Sequence, residues 1–403
     1  MLKRIIVLLF VAVSSGAAGF CAEGSIAICP TGRCAVRCGR VFGGENADMA
    51  YSVEETQDGG YFAAGFTTSF GQRGDAWLVG LDSKGNWVWD KTFGGKGRDE
   101  ASSMCMTNDG GVILSGSGFS EDSGSSDFLV VKLDSKGNLK WEKLFDDAGN
   151  EYAKAAAPTS DGGVIIAGNR VEPYYKDGPK PRDGVIMKLD ASGNREWSKR
   201  FGSGGVNEDL YSIRQTSDGG YVAVGSSGRE KRAGAKNDIW VFKLDESGNE
   251  EWSKVLEGEG MDLVSSVVQA PDGGYILAGF TSTPRDKGDL WIMKLSASGD
   301  PEWEELYGDR GKDEATSIEK TSDGGYIVAG YTTFANEGIL LRLDEEGYIV
   351  WVKTYGGEGR DILVSALETS DGGFIAAGQT NSFGAQGVDF WVMKVDGDGN
   401  CEW

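Results

Sequence analysis

The chain has 403 residues, with 62 acidic against 40 basic side chains, a formal charge of −22 and no histidine. So acidic a composition excludes nucleic acid as a partner, because phosphate binding needs a basic footprint. The missing histidine removes Ser-His-Asp and Cys-His catalysis, histidine bases and histidine metal ligands together.

Residues 1–20 read as a secretory signal peptide: Lys3 and Arg4 precede an apolar run from Ile5 to Val13, and small residues follow from Ser14 to Gly19. The run is too short to cross a bilayer, and no later stretch reaches the roughly 20 apolar residues of a transmembrane helix. Phe20 stands where a lipoprotein signal wants a small residue, which argues against lipidation of Cys21. The mature chain is therefore expected to be exported, whether periplasmic, extracellular or held at the cell surface.

Residues 21–39 form a cysteine-containing segment, and the rest of the chain, 40–403, is periodic. The tripeptide Asp-Gly-Gly begins at Asp58, Asp109, Asp161, Asp218, Asp272, Asp323 and Asp371. A tryptophan keeps the same beat at Trp89, Trp141, Trp197, Trp252, Trp303, Trp351 and Trp403. Two markers in step at about 50 residues indicate a propeller.

Each period resolves into four short strands, best seen in residues 313–355: DEATSIEKT, the Ser322–Gly325 turn, YIVAG, a loop, GILLRLD, the Glu345–Gly347 turn, and IVWVKTY. The fold class is thus all-β, a seven-bladed β-propeller with four antiparallel strands per blade. Glycine is abundant at 63 residues and proline scarce at 8, as many tight turns require. Arg40 to Gly44 matches the end of a fourth strand, and Cys401 to Trp403 matches the beginning of one, so the N- and C-terminal segments are expected to pair and close the seventh blade.

The segments DGGYIVAG, GDLWIMKL and VWVKTYGG resemble the repeats of secreted bacterial and archaeal propellers of the "DGGYIxAG…DxWxxKLDxxGNxxW" kind. The resemblance covers residues 40–403 and implies a Kelch-like strand order, with the Ala/Ser strand innermost and the Trp strand outermost. The LDSKGNxxW turns, Leu81 to Trp89 and Leu133 to Trp141, are similar to the tryptophan motif of pyrroloquinoline quinone (PQQ) propellers. Those enzymes have eight blades and a vicinal cysteine pair that is missing here, so the resemblance implies fold and no activity.

Ten residues before each Asp-Gly-Gly lies an acid: Asp48, Asp99, Glu151, Glu208, Asp262, Asp313 and Asp361. Opening the innermost strands, these would ring one mouth of the central channel and could gather Ca²⁺ or organic cations. The plainer reading is that each accepts backbone N–H bonds within the blades. A second acidic set opens the third strands at Asp75, Asp127, Asp183, Asp238, Asp289, Glu337 and Asp389, on the same face, where latching the preceding loop is the plainer role. No other cofactor is expected. The Asp396–Asn400 run begins like a calcium loop but matches the hairpin Asp82–Asn86 and is read as a turn.

The loops joining second and third strands vary most. One carries Tyr174, Tyr175, Lys176, Lys180 and Arg182, the next Arg229 and Arg232, and the next Arg285, a basic and aromatic sector suited to a protein or acidic glycan. Cys29, Cys34, Cys38 and Cys401 are disulfide candidates in an oxidising compartment. A bond from Cys401 to Cys34 or Cys38 would lock the closing blade. Cys105 reads as a buried free thiol. The function expected is a monomeric, non-enzymatic binding or scaffold propeller that engages a cell-surface protein or glycan. A carboxylate-based glycosidase or lyase and a purely structural surface protein are the alternatives. The enzyme would need an acid that breaks the seven-fold pattern and faces a pocket, and none stands out in the regular sets.

Overall fold

The computed structural model describes residues 4–5, 38–71, 73–147, 149–171, 182–202, 207–228, 238–256, 260–282, 288–308, 311–384 and 387–403. Among them there is no helix, and hence none long and apolar enough to cross a membrane. The strands form seven four-stranded antiparallel blades, six running outward in chain order and the seventh taking its outermost strand from Arg40–Phe42; Arg4–Ile5 lies parallel to the outer edge of the fifth. The innermost strands are Asp48–Glu55, Glu100–Met106, Asn150–Pro158, Glu208–Gln215, Asp262–Gln269, Asp313–Lys320 and Asp361–Glu368.

Burial follows radial position. Second and third strands are buried along most of their length, and Tyr61–Thr67 and Asp75–Leu81 at every residue, because each sheet is covered on both faces by its neighbours. Outermost strands such as Trp87–Phe93 alternate instead between exposed and half-buried residues. The apolar core is accordingly split into seven clusters, each shared by two adjacent blades; Phe62 and Leu78 of the first blade, for example, pack with Leu114 and Val131 of the second.

Each repeated tryptophan docks on the outer hairpin of the next blade. A Cβ on Gly193 would fall 2.6 Å from Trp141, and one on Gly248 or Gly299 2.7 Å from Trp197 or Trp252. Gly193 also has φ +74°, so both the contact and the backbone demand glycine there. Trp403 meets Gly85 of the first blade in the same way and closes the circle.

The seventh blade is completed from both ends of the propeller. Val41 pairs with Trp391 and Phe42 with Phe390, while Glu402 N donates to Lys394 O at 2.9 Å. The composite outer strand is joined covalently by a Cys38–Cys401 disulfide spanning 363 positions. Cys29 and Cys34, like residues 6–20, expected to be a signal peptide, and Cys21, lie outside the described residues. Cys105 is a buried free thiol, its pKa pushed up to about 12 chiefly by burial.

Candidate binding face and channel

The two acidic sets meet at the blade junctions, on one face. A Cβ on Gly43 would sit 2.6 Å from Asp389 Oδ1 and 2.7 Å from Asp48 Oδ2; one on Gly202 would meet Glu208 and Asp183 at 2.9 and 3.0 Å. Glycine between the carboxylates leaves them room. The innermost-strand acids are buried and occupied within their own blade. Asp48 accepts from Gly44 N at 2.9 Å, Thr67 Oγ1 at 2.5 Å and Ser69 Oγ at 2.7 Å, and Asp361 repeats the scheme with Gly357 N, Thr380 Oγ1 and Ser382 Oγ. Asp99 takes Gly95 N and Phe119 N, and Thr281 Oγ1 donates to Asp262. These bonds fasten the loops around the mouth. Burial nevertheless raises the Asp99 pKa against its two N–H donors.

The third blade departs from this pattern. Asp146-Asp147 replaces the Gly-Gly pair, and Arg170 takes the place, opposite Glu151, that Thr67, Thr281, Thr332 and Thr380 hold opposite their acids. Glu151 therefore loses the hydroxyl, and its nearest opposite charge is Arg170 Nε, 3.5 Å from Oε1. Burial pushes its pKa up to about 7, with Arg170 opposing and Asp127, Asp147 and Asp146 reinforcing the rise. A cavity of ≈ 390 Å³ opens beside it, lined by Asp147, Arg170, Arg195 and Arg200. Arg195 pairs with Asp147 at 2.6 Å. Of the expected basic sector, Arg182 is described and is ion-paired with Asp209 at 2.6 Å. Tyr174, Tyr175, Lys176, Lys180, Arg229, Arg232 and Arg285 lie outside the described residues.

The central channel is a second candidate site, one that the regular acids conceal in the sequence. All seven innermost strands line a cavity of ≈ 530 Å³. Each strand described in full carries a bulge near its third residue, between Ala50 and Ser52 in the first blade, which breaks the two-residue alternation. Tyr51 and Glu54, three apart, thus both line the channel. At the acid-face mouth, a part of ≈ 460 Å³ is bordered by Tyr51, Glu100, Lys154, Tyr211 and Glu314. Glu100 pairs with Arg98 and Glu314 with Lys312, whereas Lys154 makes no ion pair among the described residues.

Deeper in, an Arg214–Glu319 ion pair joins the fourth and sixth blades across the channel. Glu54 stands near it. Enclosure by the channel wall pushes the Glu54 pKa up to about 8, Glu319 adding to the rise and Arg214 opposing it, although the side chain keeps some contact with solvent. Glu54 and Glu319 correct the expectation that no acid breaks the seven-fold pattern and faces a pocket. Residue-by-residue alignment of the innermost strands would have exposed them.

The opposite face holds a device the sequence reading missed. A lysine or arginine near the end of the third strand is buried and reaches the aspartate of Asp-Gly-Gly in six blades: Lys132–Asp109, Lys188–Asp161, Lys243–Asp218, Lys294–Asp272, Arg342–Asp323 and Lys394–Asp371. Lys188, Lys243 and Lys394 also bond a glutamate of the outermost strand and a backbone carbonyl, so each ties three strands together. In the first blade Gly80 takes the lysine's place, and Trp89 packs over it. The Asp82 and Asp396 turns are the expected hairpins, with Asn86 N and Asn400 N donating to their carboxylates at 2.8 and 2.7 Å.

Residues 181–380, just under half of the chain, match a protein-family model described as PQQ_2, outer membrane protein assembly factor BamB. That stretch is similar to the PQQ-like propeller family, and the described residues as a whole form a seven-bladed propeller. A stretch of 117 residues is 28% identical to the regulatory protein FlaEY of Caulobacter vibrioides, covering 27% of this chain and 12% of FlaEY. The chain thus spans only a small part of that protein's length. Among solved structures, the Pan2 WD40 domain of Neurospora crassa aligns over 86% of this chain and 88% of its own, with TM-score 0.52 and 9% identity. The GH93 α-L-arabinofuranosidase of Fusarium graminearum aligns over 89% and 97%, with TM-score 0.50 and 10% identity. At such identities the likeness shows the fold alone. The strand order runs from the innermost Ala/Ser strand to the outermost Trp strand, as the repeats implied, without singling out the Kelch family.

Proposed function

We propose that the chain is an exported, non-enzymatic binding or scaffold propeller that seats a protein or glycan partner on its acidic face, across the channel mouth and the third blade. The observation that carries this reading is where the repeats diverge. Three residues after the repeated acid of the innermost strand the seven blades place Tyr51, Ser102, Lys154, Tyr211, Ser265, Thr316 and Val364 around one mouth, whereas the opposite face repeats one ion-paired lock. Positions that serve the blade stay alike; positions that meet a ligand vary. Tyrosine rings beside an unpaired Lys154 are amphipathic anchors of the kind that fix a partner. The signal-like N-terminus and the BamB-like match favour export.

A glycan array and a pull-down from envelope extract test the reading, comparing the wild type with Lys154→Ala/Tyr211→Ala and with residues 172–181 replaced by a short Gly-Ser linker. At least a tenfold loss of the retained partner is expected in either variant. Undiminished binding in both would overturn the assignment.

A carboxylate-based enzyme is the second reading, and Glu54 favours it. A carboxyl held protonated near neutral pH beside another acid in an open channel is a general-acid arrangement. Turnover of an aryl-glycoside by the wild type, lost in Glu54→Gln, would support it. No turnover across glycoside and uronide panels would remove it.

A further inference from the structure

Asp127, Asp146 and Glu151 meet at the junction of the second and third blades, with a carboxylate oxygen from each lying within 4.8 Å of the others. Two oxygens that share one Ca²⁺ at 2.3–2.6 Å can stand at most about 5 Å apart, so this spacing suits a common ion. Carboxylates alone do not make a site, and the second observation is Glu151 itself. It is only 2% exposed, and neither of its carboxylate oxygens has a hydrogen-bond partner. Leaving a buried carboxylate without donors is costly. Its counterparts Asp48 and Asp361 each have three donors or more. Arg170 offsets one charge from the side of Oε1.

The third blade differs here from the other repeats. Five of the seven repeats carry glycine at the Asp146 position, and Asp146 brings a third carboxylate to a junction that elsewhere has two. Glu257 is the other exception and lies outside the described residues. Asp127 is already oriented, accepting from Ser125 Oγ at 2.8 Å and Ser123 Oγ at 3.3 Å. Asp147, the second acid of the replaced pair, is turned toward Arg195.

We propose that Asp127, Asp146 and Glu151 bind one Ca²⁺ ion, a site present at this blade junction and absent from the regular ones. The site is independent of the partner-binding reading.

Melting of the full chain in EDTA and in millimolar Ca²⁺, with calorimetric titration of CaCl₂, tests it. The wild type is expected to melt several degrees higher in Ca²⁺ and to titrate with one ion per chain. Asp146→Gly places there the residue that five repeats carry; it is expected to abolish both the shift and the heat of binding. Asp122→Asn, an acid outside the cluster, is expected to retain both. A wild type that melts alike in Ca²⁺ and EDTA, or a shift that survives Asp146→Gly, would overturn the site.

Discussion

The two faces of this propeller treat charge in opposite ways. On the hairpin face, buried lysines reach largely exposed aspartates, and six blades repeat the lock with small changes. On the acidic face, carboxylates are the buried partners, and their surroundings differ from blade to blade: threonine opposite Asp48, arginine opposite Glu151, glycine or aspartate beside them. A lock that ties strands of its own blade has the same task in each of the six blades that carry it and stays constant. A face that must suit one occupant has no reason to be seven-fold.

The comparison breaks most severely at closure, which serves both faces. Cys401→Ser removes the link between the halves of the composite outer strand. On the chain-entropy model a loop of this length is expected to lose upwards of about 5 kcal/mol. Chemical denaturation of oxidised and variant protein checks this, and coincident midpoints would show that strand pairing alone holds the blade.

Breaking one hairpin lock comes next. Asp218→Asn leaves the buried Lys243 with only Glu251 and Leu244 O. It is expected to cost about 1–2 kcal/mol, less than a fully buried pair because the aspartate is largely exposed. Against the cost of partial burial, the lysine partner and the Thr and backbone hydrogen bonds hold Asp109, Asp161, Asp218 and Asp371 at about 2, below the usual carboxylate range. Depressed carboxylate pKa values give stability that is full above about pH 4 and is lost as pH falls toward 2. Melting followed across that window should fall more gently in the Asp218→Asn variant than in the wild type.

Glu54 in the channel has the opposite sign and a smaller expected effect. Its pKa is raised, so the folded chain holds the proton more tightly than the unfolded chain, and stability declines as pH rises from about 4.5 to 8. Glu54→Gln, which keeps the protonated shape, is expected to match the wild type near pH 4.5 and to melt above it at pH 8 and beyond. Equal melting at both pH values would show that channel water already relieves the burial.

The repeated features were legible in the sequence because repetition averages out accident. Asp-Gly-Gly, the docking tryptophans and the closing segments gave blade number, strand order and the pairing of Val41 and Phe42 with the last blade. The lysine locks escaped because a lysine in a strand is ordinarily read as solvent-facing, although Lys188, Lys243 and Lys394 recur at one position. The channel lining escaped for a geometric reason: the bulge beside Tyr51 shifts the alternation, so periodicity misassigns which residues face the axis. At the third blade the acids were read down the column of repeats. Asp146 and Arg170, which differ from that column, were visible only when neighbouring positions were aligned as well.

Hydrogen exchange on the full chain with its captured partner tests the division between the faces most directly. Slowed exchange is expected at the acidic end, in the opening residues of the innermost strands around Lys154 and Tyr211 and at residues 146–151, with the Asp-Gly-Gly hairpins unchanged. Protection confined to those hairpins, with the channel mouth unaffected, would contradict it.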